Sequence, residues 1–280
     1  MNEVPDRGGN GVPRERREPT ASGSMRSMSD LVPVKPAASL PVAARVALGD
    51  DSARIEELFL FARDAELRVQ RLGMDIEART LTARGEEVVR HEVLLRHPDL
   101  ARVTTRRSDD PLSRDYEVWI GDGDTIRTFD ARHRLASVRT RQLRVSGAER
   151  ADLPPFARTR TPLTHLPAGG IADAFVHPHG LFRNVLVSGP LAIVGTRPVG
   201  GREAIVVRAE HPRSVEVLVD RPDHSIEVGI DRASGFVLML TERVAGVVTQ
   251  HAEVRTLQLD PDIPDSAFEL HLGSDVRMLY

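Results

Sequence analysis

The chain of 280 residues contains no cysteine. Disulfides, a thiol nucleophile and zinc–thiolate centres are therefore excluded. Lysine is nearly absent as well: Lys35 is the only one, so arginine carries the basic charge. The formal net charge is −3, which gives no global drive toward nucleic acid or acidic membranes. Aromatic residues make up 4% of the chain, so aliphatic side chains must supply most of any core. No apolar run approaches the roughly 20 residues that a membrane helix needs. The mildly apolar stretch 31–48 is broken by Pro33, Pro36 and Pro41. The N-terminal stretch lacks the apolar segment of a secretory leader. These absences predict a protein that is not transmembrane and that is cytoplasmic. What is present, 40% apolar and 28% charged residues, suits a chain able to bury a sizeable core.

Residues 1–45 are polar, rich in Gly, Pro, Ser and Arg, and show no period; they are expected to form a disordered tail. Residues 46–280 form the expected folded domain. It opens on a helix, because Ile55, Leu58, Phe59 and Ala62 recur at helical spacing behind the capping candidates Asp51 and Ser52. After Glu66 the period drops to two. Strands alternate with turn clusters through residue 145, and again from residue 191 to residue 259. Between them lies a proline-broken insert. Its phrase "GGIADAFVHPHGLFRNV" reads as one or two short helices, with Ile171, Phe175 and Val176 inward and Leu181 and Phe182 on the next turn. Short strands at this spacing predict a mainly β (α+β) fold with antiparallel meanders. The strand "FVLML" (residues 236–240) is apolar on both alternating faces, so part of the sheet is expected to be covered on both sides.

The candidate sites are weak. "DGD" at Asp122–Asp124 lacks the spacing and the distal Glu of a calcium loop. It reads as a hairpin turn with both central residues at positive φ. His177 and His179 are too few ligands for a zinc site, and no metal or other cofactor is expected. "GTRPVGGR" matches no phosphate or dinucleotide loop, and there is no nucleophile elbow. Arg139 and Arg141 read as a solvated strand face, and no nucleic-acid partner is expected. Nothing points to catalysis, so the chain is expected not to be an enzyme.

Four phrases, in order, carry a resemblance. They are Arg96, Pro98 and Arg102; then Asp122, Gly123, Thr125, Phe129 and Asp130; then Ile230, Asp231, Ser234 and Gly235; then Ile263, Pro264 and Phe268. Over about residues 50–272 the chain resembles the LolA-like superfamily of lipoprotein carriers and RseB-type sigma-factor regulators. The resemblance implies an open, curved antiparallel half-barrel of about 11–12 strands, with the N-terminal helix and short helices on its concave face. It also implies binding of an apolar ligand or lipid there. The candidate lining is Val217, Val219, Val228, Ile230, Phe236, Leu238, Leu240, Phe175 and Phe182, which are apolar residues on strands and insert helices. The alternative is a regulatory module that binds a protein partner, an anti-sigma factor or a membrane sensor.

Overall fold

The structure, a computed structural model, describes residue 48 and residues 54–107, 112–141, 161–186, 190–210 and 223–279. The expected tail, the caps Asp51 and Ser52, and the strand carrying Val217 and Val219 lie outside the described residues.

Twelve strands form one open, mainly antiparallel sheet. They are β1 (Arg71–Thr82), β2 (Gly85–Arg96), β3 (Leu100–Arg106), β4 (Tyr116–Asp122), β5 (Thr125–Asp130), β6 (Leu135–Thr140), β7 (Leu191–Val199), β8 (Arg202–Glu210), β9 (His224–Asp231), β10 (Val237–Val244), β11 (Val247–Leu259) and β12 (Arg277–Leu279). The order across the sheet is β12-β6-β5-β4-β3-β2-β1-β11-β10-β9-β8-β7. Two meanders, β1–β6 and β7–β11, are thus joined where β1 pairs antiparallel with β11. Among the described residues the one parallel pair is β12 on β6. Sequence periodicity does not foresee β12, because three residues are too few to show a period.

Alternation along β1 sends Leu72, Met74, Ile76 and Ala78 to one face. Register carries that face across to Leu95, Val93, Ala101 and Val103 on β2 and β3. On the other side it reaches Val254, Leu240, Val228 and Val207. Three helices cover this face: α1 (Ile55–Arg63), α2 (Ile171–Val176) and α3 (His179–Leu186). Helix α1 buries Leu58, Phe59, Phe61 and Ala62, and the Phe59 ring stacks on Phe182 at 4.6 Å between centroids. Burying side chains of this size stabilises by roughly 1.5–3 kcal/mol each, so the core under the helices holds the two meanders together.

The strand 236–240 is buried throughout, but strict alternation along it fails. A bulge at Leu238 shifts the register between Val237 and Met239. Beyond the bulge, Leu240 meets Val228 on the helix-bearing face and Met239 meets Gly229 on the opposite one. There Arg197 Nη1 donates to the Met239 sulfur at 3.2 Å. The tip of the β7–β8 hairpin also folds back onto β11. A Cβ on Gly200 would stand 2.7 Å from the Val254 carbonyl oxygen, so only glycine fits this approach. Coverage of both faces is therefore met by helices on one side and by the curling hairpin on the other.

Candidate functional site

The helices cover only part of their face. Farther along the sheet, register aligns rows of β3 to β6 over which no helix lies among the described residues. In one row Thr105 lies opposite Glu117, Glu117 opposite Asp130, and Asp130 opposite Leu135. In the next, Val103 lies opposite Trp119, Trp119 opposite Thr128, and Thr128 opposite Ser137, which in turn meets Leu279 of β12. With Pro167, from the segment leading into α2, these side chains bound a cavity of about 490 Å³. That size falls within the range of small-molecule pockets. Its wall is mixed: Thr105, Thr128 and Ser137 bring hydroxyls, Glu117 and Asp130 bring carboxylates, and the rest, Trp119, Leu135 and Leu279 among them, are apolar.

Most of these polar groups are already engaged. Thr128 Oγ1 and Ser137 Oγ lie 2.8 Å apart, and Thr105 Oγ1 lies 3.1 Å from His91 Nδ1. Burial, helped by the nearby Arg107 cation, pushes the His91 pKa down to about 4, so this imidazole is neutral at physiological pH. Arg107 Nη1 donates to Glu117 at 2.8 Å. The backbone N–H of His133 donates to Asp130 at 2.9 Å and its Nδ1 lies 2.7 Å from the second oxygen. Burial raises the Asp130 pKa, but these bonds outweigh it and the net displacement is downward. Asp130 is thus a carboxylate at neutral pH.

The sequence-predicted lining falls elsewhere. Val228, Ile230, Phe236, Leu238, Leu240, Phe175 and Phe182 are all buried in the core between the helices and the sheet, and none of them borders this cavity. Val217 and Val219 lie outside the described residues. His177 does not stand with His179 as a ligand pair. It is buried, with Nδ1 2.9 Å from Asp173 and Nε2 in an off-line ion-pair contact 3.2 Å from Glu66. Burial alone would lower its pKa, but the two carboxylates prevail and raise it to about 9. Glu66 also accepts from the Leu163 N–H at 3.3 Å. This cluster therefore fastens the insert to the 3-10 turn Ala65–Arg68.

A second cavity, of about 600 Å³, opens on the opposite face between β1, β2, β3 and β11. Arg255 and Arg79 each donate to Glu77 at 2.8 Å, and Arg90 at 3.3 Å. The Arg255 guanidinium, with Arg79 beside it, holds the Glu77 carboxyl at about 2 against the opposing effect of burial. Its wall carries Asp75 and Glu92 as well as Arg90, Arg106 and Arg255, so it favours neither sign of ligand.

The first and last of the four phrases are brought together, and the second and third each close a turn. Arg96 forms an ion pair with Asp265 at 2.7 Å and lies over the Phe268 ring at 5.2 Å. Arg102 Nη1 donates to the Ala267 carbonyl at 3.0 Å. The arginines of the first phrase therefore hold the last one against β3. In the second phrase, Asp122 accepts from the N–H of Thr125 at 2.9 Å and from its hydroxyl at 2.6 Å. Of its two loop residues only Gly123 has positive φ, 86°, which corrects the expected pair; the Asp122 cap closes the turn without a second left-handed residue. In the third, Asp231 accepts from Ser234 N–H at 2.9 Å and from Arg202 at 3.2 and 2.8 Å.

No family model matches the chain, and no curated protein matches it. Among solved structures it is similar in fold to MucB in complex with MucA(peri), at 14% identity and a TM-score of 0.44 over 81% of this chain and 62% of that one. The Pseudomonas aeruginosa MucA/MucB complex gives 14% and 0.44 over 77% and 60%. A LolA superfamily protein from Nitrosomonas europaea gives 10% and 0.29 over 78% and 99%. The chain spans less than two thirds of the length of those MucB chains. At such identities, and with TM-scores under 0.5, they assign neither a superfamily nor a role to this chain. No helix among the described residues is long and apolar enough to cross a membrane. The expected cytoplasmic location gains no support from the neighbours.

Proposed function

We propose that the chain is a non-catalytic binder of an apolar or amphipathic small molecule, a lipid included, held in the cavity over β3–β6. The observation that carries this reading is a cavity of about 490 Å³ on the helix-bearing face with Trp119 and Leu135 in its wall. Its hydroxyls are paired with neighbouring polar groups, which leaves the apolar walls to drive binding. Trp119 is the only tryptophan in the chain, so its emission reports on the cavity. Titration with decanol is expected to shift that emission to the blue and to saturate, with a one-to-one adduct in native mass spectrometry. An unchanged spectrum and no adduct would overturn the reading.

A second reading, a regulatory module for a protein partner, is favoured by β7. It is an edge strand of the sheet, exposed along most of its nine residues, with Ile193 and Val194 among them. An exposed edge accepts an added strand. Hydrogen exchange of the β7 amides with an anti-sigma-factor segment present tests it: slowed exchange supports strand addition, and unaltered exchange opposes it.

A further inference from the structure

The cavity wall carries a charge of one sign. Among the described residues that line it, Glu117 and Asp130 are the ionisable ones, and no arginine or histidine joins them. They also stand directly opposite each other on β4 and β5, on the cavity's side of the sheet. Like charges in that position repel and are normally avoided. Each is relieved from outside the cavity, Glu117 by Arg107 and Asp130 by His133. Both relieving side chains belong to exposed residues, and His133 carries charge only when protonated. Trp119 lies two residues along β4 from Glu117 on the same face. An indole face beside two carboxylates is a combination that attracts an organic cation.

We propose that this cavity selects amphiphiles by the sign of the head group: it favours a cationic head over a neutral one and disfavours an anionic one. The apolar body rests against Trp119, Leu135 and Leu279, and the ammonium sits between Glu117 and Asp130. There it replaces a like-charge repulsion with two attractions. An anionic head at the same place would add a third negative charge. The inference rests on the cavity being the binding site.

The test uses the full chain and three ligands with one tail: decyltrimethylammonium, decanol and decanoate, each below its micellar concentration. Binding is followed by Trp119 emission. At low salt the affinity is expected to fall in that order, by roughly threefold to tenfold from cation to anion, because partly exposed charges act weakly. Added salt should shrink the ratio. In the double variant Glu117→Gln, Asp130→Asn, the cation-to-decanol ratio should fall to about one. Decanoate should gain relative to decanol, because the two negative charges of the cavity wall are removed. Equal affinities for the three ligands, an anion preference, or an unchanged ratio in the double variant would each overturn the proposal. Loss of decanol binding in the unsubstituted chain is a different failure, because it removes the cavity reading itself.

Discussion

Raising the pH should loosen the insert from the rest of the fold. His177 closes helix α2 and lies between Asp173 on that helix and Glu66 in the turn after α1. Its side chain is 2% exposed. Burial opposes its charge, and the two carboxylates more than reverse this, so the pKa rises from 6.5 to about 9. Proton affinity is therefore higher in the folded state than in the unfolded one. The resulting stability is fully present below pH 6.5 and is lost as pH rises through about 9. At about 1.36 kcal/mol for each tenfold change in proton affinity, this corresponds to about 3 kcal/mol. Urea unfolding between pH 6 and pH 10 is the assay, on the unsubstituted chain and on His177→Gln. The difference in stability between the two should shrink by about 3 kcal/mol over this window. A constant difference would refute the reasoning, since it would mean that folding leaves the proton affinity of His177 unchanged.

Three other outcomes follow from the contacts. Glu77→Ala leaves Arg79, Arg90 and Arg255 facing one another and should cost about 1–3 kcal/mol in chemical denaturation. Because its folded pKa is depressed from 4.5 to about 2, the Glu77 contribution should be present above pH 4.5 and vanish as pH falls toward 2, so the variant and the unsubstituted chain should converge in acid. Gly235→Ala should lower stability by about 1–3 kcal/mol: its φ is +84° and a Cβ there would stand 2.9 Å from the Phe61 carbonyl oxygen. Phe268→Ala should cost about 3 kcal/mol, and hydrogen exchange in the 3-10 turn Asp265–Phe268 should quicken because Arg96 loses the ring beneath it.

The fold was legible where burial imposes a period. Leu72, Met74 and Ile76 alternate because one face of β1 meets the core, and Leu58, Phe59 and Ala62 recur at helical spacing because α1 lies on that same face. Segments with no buried period were not legible. Strand β12 pairs through three residues only, and the bulge at Leu238 has no signature in an all-apolar strand. The Glu66–His177 contact joins distant parts of the chain. Its one local trace was Asp173 four residues before His177, a spacing that puts both on one helix face. Read as a possible metal pair with His179, that histidine gave no hint of its carboxylate partners.

The same physics explains why the expected lining and the cavity fall in different places. An apolar residue at a strand position is most visible in a sequence when its neighbours are apolar too, and such positions are filled by close packing. Phe175 and Phe182 were conspicuous because α2 and α3 turn them into the core, and Val228 and Ile230 because they belong to the sheet face that the helices cover. A cavity forms where that closure stops. Its walls then face solvent in part and take up Thr, Ser, Glu and Asp between apolar residues, a mixture that reads as an outer surface. Only the register of β3 to β6 shows that Trp119, Thr128, Ser137 and Leu279 stand in one row, with Glu117 and Asp130 in the next. The conspicuous residues hold the two meanders together under the helices. The mixed rows bound the cavity, and it is there, where the hydrophobic pattern weakens, that the proposed binding would take place.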